Sequence, residues 1–330
     1  MPQTIAEIVN DINRLNAEGI RLAIEVEPHD FDGAIAKHIE AAALAENSAE
    51  KINPDYYAFS IANRAYAERH KTNDRTRVWS LLEEAIAKTQ SAFRRRTHQT
   101  YSGTARLLEE MALVIRCNPT EDDYFEELRD ALNLIKRSEE LYKQAQRNRR
   151  EIVKDEFVRD RYYRAKGISA MIITLIAERT EDKPKRNQLL TLALDYAQKE
   201  LSFRLKSGET MSIPLSNAYH TLAVVQSEFA RDQAMYDEAN RNLAEAERLD
   251  GSPHLSSILK LRRAWLEYRR GGNNKSVIQE FFQNVLDDQN KREARWSPAE
   301  LADSRYKFFE LGNLFTEQYL GRVKALFGAK

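Results

Sequence analysis

Proline marks where helices can begin and end in this sequence. All eight prolines fall where the apolar periodicity of the chain lapses. Because proline inside a helix loses a backbone hydrogen bond and clashes with the preceding turn, at roughly 3 kcal/mol, it is largely confined to helix boundaries. Three prolines follow a side chain that can cap a helix N-terminus, in Asn53-Pro54, Ser252-Pro253 and Ser297-Pro298. The sequence is therefore predicted to form separate helices joined by short connections.

Apolar residues between the prolines recur at intervals of three and four, as in Ile5, Ile8, Ile12 and Leu15. Period-two alternation, which is typical of strands, is nearly absent. We therefore predict an all-α chain of about thirteen antiparallel helices. Their approximate ranges are 4–26, 31–47, 54–70, 75–93, 97–116, 120–147, 150–179, 184–206, 213–231, 234–249, 253–270, 274–292 and 298–326. No glycine or proline lies near 148, so one long helix over 120–179 is the alternative there.

The charge balance excludes a whole-molecule attraction to polyanions. The number of Lys and Arg residues, 51, equals the number of Asp and Glu residues, so any attraction to nucleic acid or membrane has to come from local clusters.

Cys117 is the only cysteine, which excludes an intrachain disulfide and a multi-cysteine zinc site. The amino end has no leader pattern, and no run approaches the ~18 apolar residues of a membrane span. We expect a cytoplasmic protein without a membrane partner, folded as one domain over 1–330 or as the halves 1–147 and 150–330.

Small residues at fixed spacing resemble those of tetratricopeptide repeats. Positions four, seven, eight and eleven of a 34-residue repeat correspond to Phe308, Leu311, Gly312 and Phe315. The same pattern recurs in Tyr219, Leu222, Ala223 and Gln226, followed by Ala239, Leu243 and Ala246 in a second helix. Partial matches occur at Tyr163, Gly167 and Ala170, and at Ile61, Ala62 and Ala65. The resemblance is best over 216–253 and 305–326, and elsewhere it is one of helix length and order.

The resemblance implies an α-solenoid whose first helices line a concave groove. Members of the tetratricopeptide family usually bind proteins or peptides there, so the expected function is that of a non-enzymatic scaffold without a cofactor. A non-repetitive helical bundle is the alternative architecture. The polar residues expected on the groove-lining helices are Asn63, Arg161, Arg164, Lys166 and Asn217.

Two arginine clusters form a second candidate site. One lies in "AFRRRTHQTYSG" and the other in "RNRR", and together they contain Arg94, Arg95, Arg96, Tyr101, Arg147, Arg149 and Arg150. Arginine with interleaved aromatic residues is suited to holding phosphates and stacking bases, so a nucleic-acid or nucleotide-anion partner is the alternative function. Basic residues are also favoured in the last turn of any helix, where they meet the negative end of the dipole.

Signals of catalysis are sparse. The sequence lacks a Walker phosphate loop, a His-Glu-x-x-His zinc motif and a Gly-x-Ser-x-Gly elbow. Arg64 and His70 resemble the Arg-x(4–6)-His pair of the HEPN ribonucleases, a spacing that also arises by chance. His38 and His220 lie near apolar neighbours and are interpreted as structural residues rather than metal ligands.

The carboxyl-terminal segment is amphipathic and could cap the helical array or mediate self-association. If Leu314, Leu320, Leu326 and Phe327 formed an exposed stripe, they would favour a homodimer. If these side chains were covered by the rest of the chain, they would not favour a homodimer.

Overall fold

The protein is all-α, as the sequence predicts. A computed structural model describes residues 3–26, 29–92, 101–147, 155–206, 212–229, 232–271, 274–291, 294–315 and 317–327. Within these ranges the chain forms fourteen α-helices and one π-helical turn, and no strand. It divides into two compact units, the first containing 1–165 with 297–299 and the second 166–296 with 300–330. The division falls within the seventh helix.

Unit 1 contains the first six helices and the start of the seventh. Their bounds are α1 (Ile5–Ile20), a π-helical turn (Arg21–Glu25), α2 (Phe31–Asn47), α3 (Asp55–Thr72), α4 (Arg75–Ala92), α5 (Tyr101–Cys117), α6 (Tyr124–Arg147) and α7 (Asp155–Glu178). Consecutive helices from α1 to α6 pack together, and α3 also packs on both α1 and α5. Helices α1, α3 and α5 are therefore neighbours in sequence order.

The core of unit 1 joins large side chains on one helix to alanines on the next. Ile8, Ile12 and Leu15 are buried on α1 and belong to the same cluster as Ala41 and Ala45 of α2. Alanine takes up little space, which allows the two helices to approach closely. The observed helix pairs follow from this repeated matching of apolar faces.

Unit 2 contains the remaining helices. Their bounds are α8 (Lys183–Lys206), α9 (Ser212–Ser227), α10 (Gln233–Leu249), α11 (Pro253–Arg269), α12 (Lys275–Asp288), α13 (Pro298–Asn313) and α14 (Glu317–Leu326). Consecutive helices from α8 to α12 pack together, and α11 also packs on α9. Ala223 of α9 shares a buried cluster with Ala239, Leu243 and Ala246 of α10, the residues that carry the repeat resemblance.

Two predicted helices differ from the structure. The predicted helix 298–326 is two helices, because the chain leaves helical geometry after Asn313. The predicted first helix ends at Ile20, and the chain continues as the π-helical turn.

The alternative of one long helix through residue 148 is wrong, because the Lys143 ammonium lies 5.8 Å from the Tyr162 ring centroid. Nineteen residues of straight helix would separate the two by about 28 Å, so the chain must reverse between α6 and α7.

The carboxyl-terminal stripe is covered in part by its own unit. Leu314, Leu326 and Phe327 pack against a core that contains Phe282 and Phe308. Gly312 approaches α14 closely, since a Cβ added there would lie 3.3 Å from Val323. The stripe thus contributes to the packing of α13 and α14, and its four side chains are half-buried.

Candidate functional site

Charged side chains from three odd-numbered helices of unit 1 meet in one place. We call this group the arginine cluster, and it consists of Arg69 on α3, Arg106, Glu109 and Glu110 on α5, and Arg161 and Arg164 on α7. Arg69, Arg106 and the two glutamates are buried, whereas Arg161 and Arg164 are half-buried. The cluster therefore reaches from the interior of the unit to a partly accessible edge.

Helix geometry explains why these side chains converge. Arg106, Glu109 and Glu110 are three and four residues apart on α5, so they share one face of that helix. Arg161 and Arg164 are likewise one turn apart on α7. Because α3 packs on α5, Arg69 can reach the same place.

A buried carboxylate fixes the start of α5. Asp55 accepts hydrogen bonds from the Ser102 hydroxyl and, at 2.9 Å, from the backbone N–H of Gly103. These donors lie in the first turn of α5, where a negative charge is favoured by the helix dipole. Asp55 itself begins α3, so this contact sets the position of α5 relative to α3.

The two glutamates are paired by two of the four arginines. Arg106 divides its guanidinium between them, with Nη1 2.9 Å from Glu109 Oε2 and Nη2 2.9 Å from Glu110 Oε1. Arg69 Nη2 lies 3.6 Å from Glu110 Oε2, and its Nη1 donates to Cys117 Sγ at 3.3 Å. Burial raises the pKa of Glu110, but Arg106 and Arg69 outweigh it, so its net pKa is lowered. Glu110 is thus held ionised, and each of the two glutamates has a guanidinium partner.

The remaining two arginines leave the cluster with excess positive charge. Four guanidinium groups face two carboxylates, so the formal excess is two charges. Burial and the nearby Arg106 lower the pKa of Arg164, and the same two causes lower that of Arg161 to about 9. Arg161 Nε is buried without a hydrogen-bond partner in the described part of the chain. An arrangement of this kind is suited to receiving an anion.

Aromatic side chains border the cluster. Tyr142 on α6 is fully buried, and burial together with Glu109 raises its pKa. The Arg161 guanidinium lies 5.2 Å from the centroid of the Phe157 ring. Rings exclude water from the charged groups, which strengthens the electrostatic interactions there.

Unit 2 contains a second buried charged group, which is paired internally. Glu228 Oε2 lies 3.0 Å from Arg186 and 3.3 Å from Arg269, while its Oε1 accepts from Trp265 Nε1 at 2.8 Å. Lys307 Nζ lies 2.5 Å from Glu178 Oε1. Burial, followed by the charge of Glu178, raises the pKa of Glu228 to about 7. Each carboxylate of this group already has a cationic partner.

The structure brings together two of the five predicted groove residues, Arg161 and Arg164. Lys166 is buried in unit 2, with its ammonium 4.3 Å from the Tyr196 ring centroid. Asn63 is half-buried on α3, and Asn217 is exposed on α9.

Most of the predicted basic edge lies outside the described residues. This holds for Arg94, Arg95 and Arg96, and for Arg149 and Arg150. Arg147 is exposed at the end of α6. Tyr101 is half-buried and packs against a cluster that contains Tyr142. Its ring is therefore engaged in packing rather than in an open stacking surface.

The histidines have structural surroundings. His70 Nδ1 lies 3.0 Å from the Ser297 hydroxyl, and the centroid of its ring lies 4.3 Å from that of the Tyr66 ring. Arg64 donates from Nε to Glu68 at 2.8 Å, and six residues of helix set it about 120° around α3 from His70. The two side chains of the nuclease-like pair thus do not share a helix face.

His38 is fully buried in unit 1, where the sequence predicts a structural residue near apolar neighbours. Its Nδ1 lies 3.0 Å from Asn16 Oδ1, and Asn16 Nδ2 donates to Ser60 Oγ at 2.9 Å. Since Asn16 uses its amide nitrogen toward Ser60, its oxygen accepts, and His38 carries its proton on Nδ1. Burial lowers the pKa of His38 to about 4, so the ring is neutral. His220 of unit 2 is half-buried, and its Nε2 accepts from Arg262 Nε at 3.3 Å.

Sequence reasoning missed Arg69, Arg106, Glu109 and Glu110. A signal for three of them was present in "ARLLEEMALVI", where charged residues interrupt a segment that is apolar on every face. A helix of that composition is buried all round, so its charges must be paired inside the protein. Arg69 offered no such signal, because its meeting with α5 depends on the tertiary packing.

Comparison with known proteins leaves the site to be interpreted from its chemistry. No protein-family model matches the chain, and no curated protein matches its sequence. No helix among the described residues has the length and apolar character to cross a membrane. The same residues contain no cluster of three or more His, Cys, Asp or Glu side chains placed to hold a metal ion.

Proposed function

We propose that this chain is a non-enzymatic, cytoplasmic binding protein that holds an acidic segment of a protein or peptide partner at the arginine cluster. The observation that carries the proposal is the excess of two positive charges among buried and half-buried groups. Unpaired buried charge is costly to a folded protein. A negatively charged partner would remove that cost by binding.

The identity of the contributing helices supports a tetratricopeptide-like mode of binding. Arg69, Arg106, Arg161 and Arg164 all come from odd-numbered helices, namely α3, α5 and α7. If the helices pair in chain order, these are the first helices of successive pairs. In the family that the sequence resembles, the first helices line the groove that receives the partner.

Charge favours a peptide over a nucleic acid. Nucleic-acid binders neutralise a row of phosphates, and their affinity comes largely from the resulting release of counterions. The cluster offers an excess of only two charges, at one place, in a chain whose total charge is zero. A short acidic segment fits that limited charge better than an extended polyanion.

Binding of acidic and neutral peptide libraries tests the proposal. Fluorescence anisotropy would compare a degenerate 12-residue library rich in Asp and Glu with one in which Asn and Gln replace them. We expect the acidic library to bind at least about tenfold more tightly, and the double variant Arg161→Gln/Arg164→Gln to lose that preference. Arg129→Gln/Arg137→Gln is the matched control, because both residues are exposed on α6 and lie outside both candidate sites. Equal binding of the two libraries to the wild-type protein would refute the proposal.

A further inference from the structure

The arginine cluster has the charge and donor arrangement of a site for a phosphate monoester. We propose that the group it receives is the phosphoryl group of a phosphorylated side chain on the partner, held between Arg161 and Arg164. This inference rests on the proposed function and names the chemistry of its ligand.

The first argument is charge matching. A carboxylate would neutralise one of the two excess charges, and the other would stay half-buried and uncompensated. A phosphate monoester carries about 1.5 to 2 negative charges at pH 7. It is therefore the single common side-chain group that neutralises the whole excess.

The second argument concerns the donors. Arg161 and Arg164 are one helical turn apart, so their guanidinium groups project from one face of α7 and can approach the same anion. The Arg161 Nε–H is buried and unused within the described residues. Guanidinium groups bind phosphate oxygens through paired N–H donors, and three phosphoryl oxygens can accept from two such groups at once.

The third argument concerns the neighbouring carboxylates. Glu109 and Glu110 would repel an anion if they were unpaired, but Arg106 and Arg69 already neutralise them. Their ion pairs also engage Arg106 and Arg69, which leaves Arg161 and Arg164 as the arginines available to a ligand. A phosphodiester within a nucleic acid carries one charge per phosphate, so it would match the site less well than a monoester.

Calorimetric titration with three degenerate peptide libraries tests the inference. The libraries share one composition and differ at a central residue, which is phosphoserine, glutamate or serine. We expect the phosphoserine library to bind about tenfold more tightly than the glutamate library. The difference should shrink as the pH falls below about 6, where the phosphate monoester takes up its second proton. Arg161→Gln/Arg164→Gln should abolish the difference, and Arg129→Gln/Arg137→Gln should preserve it, with circular dichroism confirming that each variant is folded.

The outcomes separate this inference from the proposed function. Equal binding of the phosphoserine and glutamate libraries, both above serine, would overturn the phosphate assignment and leave acidic-peptide binding standing. Equal binding of all three libraries would overturn both. Titrations with inorganic phosphate and adenosine monophosphate distinguish the source of the phosphoryl group. If either bound more tightly than the phosphoserine library, the assignment to a partner side chain would be wrong.

Discussion

Replacing Arg161 by methionine should stabilise the unliganded protein, whereas replacing Arg106 by methionine should destabilise it. The fall in the pKa of Arg161 from 12.5 to about 9 corresponds to an upper limit of about 5 kcal/mol against its charged form. Because this side chain is half-buried and solvent screens its charge, we expect a gain of about 1–2 kcal/mol. Arg106 instead pairs with Glu109 and Glu110, so its removal leaves buried carboxylates unpaired and should cost about 3–5 kcal/mol.

Urea denaturation at pH 7, followed by far-ultraviolet circular dichroism, measures both effects. Methionine retains much of the aliphatic stem of arginine, so the two variants make a similar change in volume and differ mainly in the charges left behind. The opposite signs are the test. If Arg161→Met lowered the free energy of unfolding as much as Arg106→Met does, Arg161 would be a stabilising partner of the glutamates, and the argument from excess charge would fail.

Three further predictions concern buried groups elsewhere. Because the pKa of His38 is lowered to about 4, the neutral ring contributes fully to the free energy of unfolding above pH 6.5, and this contribution is lost as the pH falls toward 4. In urea titrations, the free energy of unfolding of the wild type should therefore fall by about 2 kcal/mol more than that of His38→Gln between pH 7.5 and 5. The pKa of Glu228 is raised to about 7, so the contribution of its protonated form to stability is lost as the pH rises through 7. In thermal melts, the stability of the wild type relative to Glu228→Gln should fall by about 2 kcal/mol between pH 5 and 8. A stability difference that did not change with pH would contradict the raised pKa. Gly103→Ala would place a Cβ 2.5 Å from Asp55 Oδ1, so it should cost about 1–3 kcal/mol, measured against the exposed control Gly321→Ala.

The all-α class and most helix boundaries could be predicted because local rules determine them. Pro253 begins α11, where Ser252 caps the helix, and the structure shows both. The split after Asn313 was not predicted, because the apolar spacing continues through it and the turn depends on how α14 packs on Gly312. Local sequence thus determines where helices can form, and tertiary contacts decide where a continuous pattern is interrupted.

The candidate site was predicted only in part, for a related reason. Arg161 and Arg164 could be selected from their place on a presumed groove helix. Their importance depends on Arg106 and Arg69, which lie far away in the sequence and interact with the same two glutamates. The equal totals of acidic and basic residues also conceal the local excess, since a sum over the chain carries no information on where charges meet.

The arginine cluster of unit 1 and the charged group around Glu228 in unit 2 differ in how their cations are paired. In unit 2 three cations share the carboxylates of Glu228 and Glu178, and each of the three is ion-paired with one of them. In unit 1 Arg106 and Arg69 are ion-paired with the glutamates, and Arg161 and Arg164 lie beside them. Apolar side chains at those two positions would stabilise α7 against α5 at lower cost. Arginines that a fold does not need for stability are best explained by a ligand, and the ligand that such a site can hold is an anion.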